Sequence, residues 1–266
     1  MARGDIALDI RTDGELMIQR MVLDAWRKSH VKDTKLIVFD VGGNIGDWSL
    51  ELLNSIRGDN YFDLDLRVFE PVPSTYATLK KRIREHECGR SAVLESFALS
   101  AEEGETSIYI KGDNVGTNSL HPDPLYVGYR QLKVTITTAK NYCDRCGIQT
   151  IQLFKCDTEG HDLSVIKGAL PLLKDGRIKV LQFEYNHLWI YARNYLKDAF
   201  EIINGLPYKL GKVQPNHIEL IEFWHPELER FFEGNYVLLH QDAIPWFRVI
   251  PASIDKYNTL VCGRQV

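Results

Sequence analysis

The chain lacks several features, and each absence narrows what it can be. No apolar run approaches the roughly 18 residues that a membrane-spanning helix needs, so no transmembrane segment is expected. Positive charge is not in excess: 32 Lys+Arg stand against 36 Asp+Glu, a net charge of -4 with a pI near 6.1. That balance argues against the basic footprint of a nucleic-acid binder, so no nucleic-acid partner is expected. The five cysteines are odd in number and scattered, which does not suggest a disulfide framework. Met1-Ala2-Arg3-Gly4-Asp5 lacks the apolar core of a signal peptide, and a reducing cytoplasm is the simplest expectation. There is no internal repeat, no low-complexity tract and no convincing linker.

At 266 residues the chain can bury one substantial α/β core. The expected division is a helical extension over 1–34 and a single domain over 35–266. An amphipathic helix is expected over Asp13–Ser29. Strands at 35–40, 64–69, Val93–Leu99, 150–156 and Lys179–Phe183 alternate with helices at 46–57, 74–86, 139–146 and 161–173. Thr106–Ile110 and Leu132–Thr137 read as an added β-hairpin. After His187 come further helices and two more strands, near Tyr208–Lys212 and Tyr236–His240. Strands alternating with helices at this spacing predict a largely parallel sheet with helices on both faces.

The richest stretch is Leu36-Ile37-Val38-Phe39-Asp40-Val41-Gly42-Gly43-Asn44-Ile45-Gly46-Asp47. A buried parallel strand ends in an acid, and a glycine-rich turn leads straight into a helix. Gly42, Gly43 and Gly46 can take positive φ and admit a ligand against the main chain, at the sheet edge where open α/β folds bind ligands. The same glycines also occur in tight turns that bind nothing. Asp40 favours one ligand class. Beside pyrophosphate a carboxylate repels; beside the ammonium and sulfonium of S-adenosylmethionine it attracts. Glu70, followed by Pro71, closes the second strand 24 positions after Gly46. A carboxylate there can accept hydrogen bonds from ribose hydroxyls. Ribose recognition is common to both cofactors.

Acids recur at later strand ends. Ile151–Cys156 runs into Asp157-Thr158-Glu159-Gly160-His161-Asp162, and Val180–Phe183 into Glu184-Tyr185-Asn186-His187. The acids at 157 and 159 can hold the methionine end of a cofactor, bind a cation or take a proton. Acids also cap first helical turns, which is the plain alternative for Glu159 and Asp162. Cys143 and Cys146 form a C-x-x-C with no second pair or spaced histidines. Zinc binding and two ordinary helix cysteines are both compatible with that. Cys156 reads as a core residue.

Taken in order, Asp40-Val-Gly-Gly-Asn-Ile-Gly46, Phe69-Glu-Pro71, Ala98-Leu-Ser100, Lys155-Cys-Asp-Thr-Glu-Gly-His161, Lys167-Gly-Ala169 and Phe183-Glu-Tyr-Asn186 resemble the FkbM family of methyltransferases. The resemblance implies a class I Rossmann-like methyltransferase fold, S-adenosylmethionine as cofactor and O-methylation of glycans or secondary metabolites. It places the turn of Asp40, Gly42, Gly43, Asn44 and Gly46 at the methionine and ribose, and Glu70 with Pro71 at the ribose hydroxyls. It puts Phe97 and Ala98 near adenine, and makes Asp157 and Glu159 the fourth strand's acids. Two departures stand out: Gly43 replaces the family's commoner alanine, and Ala139-Lys140 replaces Leu-Asp. The tail after about 190 matches no family motif and is expected to shape the acceptor pocket.

Methyl transfer to a hydroxyl needs alignment and a base. The candidates, in order, are Glu184, His161, Asp157 and His187; each histidine could equally be an ordinary hydrogen-bonded residue. A magnesium route stays open, with Asp157, Glu184 and Asn186 as oxygen ligands. Tyr185, Trp189, Tyr191, Tyr195 and Trp224 supply aromatic faces that pack on sugars or build ordinary core. No Asn-Pro-Pro-Tyr or Asp-Pro-Pro-Tyr follows the fourth strand, which disfavours an amine on a base. A sugar or glycan hydroxyl leads and a polyketide-type small-molecule hydroxyl follows. Two rivals are an NAD-dependent oxidoreductase, which would share the turn and Glu70, and a non-catalytic module that binds S-adenosylmethionine.

Overall fold

Thirteen strands and seven α-helices make up the computed structural model, which describes residues 9–29, 34–59, 63–114 and 116–263. The expected extension over 1–34 therefore lies partly outside the described residues. Its helix is α1 (Glu15–Lys28), which buries Met17, Ile18, Val22 and Leu23 on one side and ends in Arg27 and Lys28. The chain then runs through β1 (Leu36–Val41), α2 (Asp47–Ser55), β2 (Leu64–Phe69), α3 (Pro73–Glu85) and β3 (Ala92–Glu95). Pro73 starts α3, where its missing N–H costs nothing.

The expected third strand over 93–99 is two strands. The chain breaks at Ser96-Phe97, and β4 (Ala98–Leu99) leaves the main sheet to pair with β6. Phe97 turns onto Phe69 and Tyr142, with ring centroids 5.8 and 6.0 Å away. The expected hairpin is present as β5 (Gly104–Ile110) and β6 (Arg130–Thr137), antiparallel over their whole length. With β4 it forms a separate sheet of three strands.

Next come α4 (Ala139–Cys146), β7 (Ile151–Cys156), α5 (Asp162–Lys174), β8 (Ile178–Tyr185), α6 (Leu188–Tyr191) and α7 (Leu196–Ile203). The tail supplies β9 (Tyr208–Gln214), β10 (His217–Ile221), β11 (Gly234–His240), β12 (Val249–Ile254) and β13 (Leu260–Cys262), five strands where two were expected. The main sheet has the order β13-β12-β10-β9-β11-β8-β7-β1-β2-β3. From β3 through β8 every pairing is parallel, and β11 then runs against both its neighbours.

Alternation along the central strands sorts the core onto two faces. Phe39, Phe69, Phe154 and Phe183 pack under α4, α5 and α7, while Val38, Val68, Leu153 and Val180 pack under α1, α2 and α3. This is an α/β Rossmann-like fold, a largely parallel sheet between two layers of helices. Because β1, β2, β7 and β8 are parallel, their carboxyl ends share one edge, and β11 begins there too.

Candidate active site

The turn after β1 is shaped by contact as much as by conformation. Gly42 (φ 83°) and Gly46 (φ 90°) are left-handed, and so is Asn44 (φ 46°). A Cβ on Gly42 would stand 1.9 Å from the Asp157 carbonyl oxygen, and one on Gly43 would stand 2.3 Å from Val68. The glycines thus let neighbouring strand ends close up. Gly46 faces Leu79 of α3, away from the cleft.

Glu70 ties the first two strand ends together. Its carboxylate accepts the Asn44 N–H at 3.0 Å and the Val72 N–H at 2.8 Å. Burial pushes it up to about 7 against those two hydrogen bonds. Beside it opens a cleft. Of the expected residues, Gly42, Asn44, Glu70, Pro71, Ala98, Asp157, Glu159 and His161 line it. Asp40, Gly43, Gly46, Phe97, Glu184 and His187 do not, and Glu184 joins the site through Asp157 and Glu159. Asp40 is fully buried beneath the turn, accepting a 2.6 Å hydrogen bond from Ser49 Oγ, with Lys155 Nζ 3.8 Å away. Leu99, Ile108 and Leu120 add an apolar wall that motif reading missed. Two of these come from the hairpin and the loop inside it, and nothing in their local sequence marks them as cleft residues.

The cleft has the chemistry of a nucleoside site. Ala98, Leu99 and Ile108 give it an apolar lining, and Glu70, Asp157 and Glu159 give it carboxylates. Asn44 Oδ1 and Thr75 Oγ1, on two lining residues, are buried without a hydrogen-bond partner among the described residues. A polar ligand would satisfy both. These residues fit S-adenosylmethionine.

Beyond the cleft, Asp157, Glu159 and Glu184 bring carboxylate oxygens within 4.8 Å of one another. Burial, then the charge of Asp157, pushes Glu159 up to about 9 and raises Glu184 well above the usual carboxylate range. Lys155 Nζ donates to Asp157 Oδ2 at 3.0 Å. Asn186 is not a free ligand: its Nδ2 donates to Glu184 Oε2 at 2.6 Å and its Oδ1 accepts the Leu188 N–H. Glu159 takes the third place that the sequence suggested for Asn186. Neither acid caps α5, which has no side-chain cap hydrogen bond among the described residues; Asp162 instead accepts from the Thr158 and Gly160 N–H groups and ties down the turn before the helix.

The histidines separate. His161 is buried between Ser100 Oγ (3.0 Å) and His121 Nε2 (3.1 Å), and burial pushes it down to about 3. It anchors the chain around His121 and is a poor proton acceptor. His187 is exposed, stands at the start of α6 and does not line the cleft. Tyr185 and Trp189 are core, with Tyr185 Oη donating to Glu229; Tyr195 is exposed. Cys143 is buried and Cys146 exposed, and both are free. Among the described residues they join no group of potential metal ligands.

The sequence model of the methyltransferase FkbM domain matches residues 40–241. No curated protein matches the chain significantly. Among solved structures, methyltransferase FkbM from Methylobacillus flagellatus KT is 15% identical, with a TM-score of 0.49 over 80% of this chain and 46% of its own. The chain thus spans under half the length of that relative. The human methyltransferase 10 domain containing protein is 12% identical, with a TM-score of 0.45 over 89% of this chain and 88% of its own. The SAM-dependent methyltransferase from Agrobacterium tumefaciens is 8% identical, with a TM-score of 0.44 over 85% and 62%.

Proposed function

The chain belongs to the FkbM family of S-adenosylmethionine-dependent methyltransferases, and from that premise we propose that it methylates a hydroxyl of a sugar, glycan or small secondary metabolite. The observation that carries the choice of a hydroxyl is the cluster of Asp157, Glu159 and Glu184 beside the cleft. A hydroxyl acceptor must shed a proton as the new bond forms, and carboxylates can take it. When bound, the cofactor supplies an electrophilic methyl group and a neutral leaving thioether.

The protein's part is placement and proton handling. Ala98 and Leu99 suit the adenine, Glu70 with Pro71 the ribose hydroxyls, and Gly42 and Asn44 the backbone of the methionine end. Asp40 acts from beneath the turn. Asp157 supplies negative charge where the cofactor is cationic, and Glu159 joins it as the cation lowers its proton affinity. Glu184 takes the acceptor proton. Burial and the charges of Asp157 and Glu159 raise its proton affinity, and a cation in the cleft lowers it again. The reducing cytoplasm fits the unpaired cysteines. Among the described residues no helix is long and apolar enough to cross a membrane.

The test is transfer of labelled methyl from S-adenosylmethionine to a panel of sugars, sugar nucleotides and polyphenols. Label on an oxygen supports the proposal; label on nitrogen, or none on any acceptor, counts against it. Glu184→Gln should lower the rate about a hundredfold and leave S-adenosylhomocysteine affinity unchanged. A second reading rests on the same oxygens: a divalent cation held by Asp157, Glu159 and Glu184 would lower the hydroxyl pKa and orient it. Rates that collapse with EDTA and return with magnesium would favour it.

A further inference from the structure

Beneath the acidic end of the cleft lies a second, buried polar compartment. On the sheet face that carries α1, Asp40, Lys155 and Gln182 stand side by side in register across β1, β7 and β8. Lys155 is 5% exposed, and its ammonium also lies 5.9 Å from the Trp48 ring. The compartment is roofed from α1. Glu15 accepts from Asn235 Nδ2 at 3.3 Å, and Asn235 Oδ1 accepts from Gln182 Nε2 at 3.2 Å. Asp13 Oδ2, Asp40 Oδ1 and Gln182 Oε1 are buried there without hydrogen-bond partners. Four acids, Asp13, Glu15, Asp40 and Asp157, therefore surround one lysine.

Only Asp157 belongs to both compartments. Its carboxylate lines the cleft, while its Oδ2 takes the Lys155 hydrogen bond. A buried ammonium shared by carboxylates from separate elements has few places to go, so the carboxylate bonded to it is fixed as well. Glu15 lies outside the residues that the family model matches.

We propose that Lys155 is a positioning residue: paired with Asp40 from β1 and covered by the hydrogen-bonded chain of Glu15, Asn235 and Gln182 that descends from α1, it fixes the Asp157 carboxylate at the cleft and couples the seating of α1 to cofactor binding. The proposal rests on the reading of Asp157 as a cofactor contact. It differs from a merely structural salt bridge because Lys155 acts through one named group.

A double-mutant cycle separates the two. S-adenosylhomocysteine is titrated by calorimetry into the whole chain carrying K155M, E15Q or D157N, singly and in pairs, with K155R as the conservative variant. K155M should weaken binding about tenfold and E15Q about threefold, and each loss should fall to about twofold or less in the D157N background. K155R should recover most of the affinity. Lys179, paired with Asp242 elsewhere on the surface, serves as control through K179M, with no effect expected. The proposal is overturned if K155M costs as much with D157N as without it, if K155M costs nothing, or if D157N binds like the unaltered chain. If K155M does not fold, the E15Q and D157N pair carries the cycle under the same criteria. Failure of the unaltered chain to bind S-adenosylhomocysteine would strike the cofactor reading instead.

Discussion

Glu70 and Asp40 show how differently two strand-end acids are used. Glu70 faces the cleft and holds the N–H groups of Asn44 and Val72, so it shapes the turn and remains open to a ligand. Glu70→Ala should lower S-adenosylhomocysteine affinity about 10- to 100-fold, the worth of one or two hydrogen bonds to a charged group; calorimetry reads it. The pH dependence has a definite sign. Because Glu70 rises to about 7 in the fold, the folded state binds its proton more tightly than the unfolded chain does. Its contribution is fully present below the unfolded carboxylate value. It is lost as pH rises through about 7. Without ligand, Glu70→Gln should therefore lose less stability than the unaltered chain between pH 5 and 8, as thermal melts across that range would show. His161 works the other way: pushed down to about 3 by burial, it costs stability as pH falls below its unfolded value. At this scale the sequence was informative about which acids end strands and silent about which way they point. Asp40 reads like a cleft residue yet lies beneath the turn with Ser49 and Lys155. The preference for a sulfonium cofactor thus rests on Asp157 and Glu159, which line the cleft, more than on Asp40, which does not reach it.

Elements repeat the lesson through packing. The helix α5 brings Gly168 against the chain leaving β4, where a Cβ would stand 1.9 Å from the Ser100 carbonyl oxygen. Gly168→Ala should cost about 1–3 kcal/mol in denaturant unfolding. It should also disturb the Ser100–His161 hydrogen bond and with it the loop that His121 anchors. The strong central strands were legible because each is a short apolar run closed by an acid or glycine. Where one face is open, the signal failed. The stretch 92–99 has one sequence pattern but serves two sheets, and Phe97 marks the break only through its contacts with Phe69 and Tyr142. Of the missed strands, β12 contains Pro251, which on sequence alone speaks against a strand. The apolar wall of Ile108 and Leu120 is a product of three-dimensional assembly and has no local signature.

For the molecule as a whole, α1 is part of the fold. Its Met17, Ile18, Val22 and Leu23 share one core with β1, β2 and β11, and its Glu15 closes the polar compartment over Lys155. The extension and the main domain should therefore melt together: circular dichroism and tryptophan fluorescence should give coincident transitions, and a separate early transition would contradict this. The organisation of the site follows from topology. Four parallel strands deliver acids to one edge, and the small sheet of β4, β5 and β6 supplies an apolar wall opposite Glu70. The most direct test of that organisation is calorimetric titration of the intact chain with S-adenosylhomocysteine and, separately, with NAD. The account predicts saturable one-site binding of S-adenosylhomocysteine, weakened in Glu70→Ala, and no binding of NAD. Binding of NAD without S-adenosylhomocysteine, or S-adenosylhomocysteine binding untouched by Glu70→Ala, would contradict it.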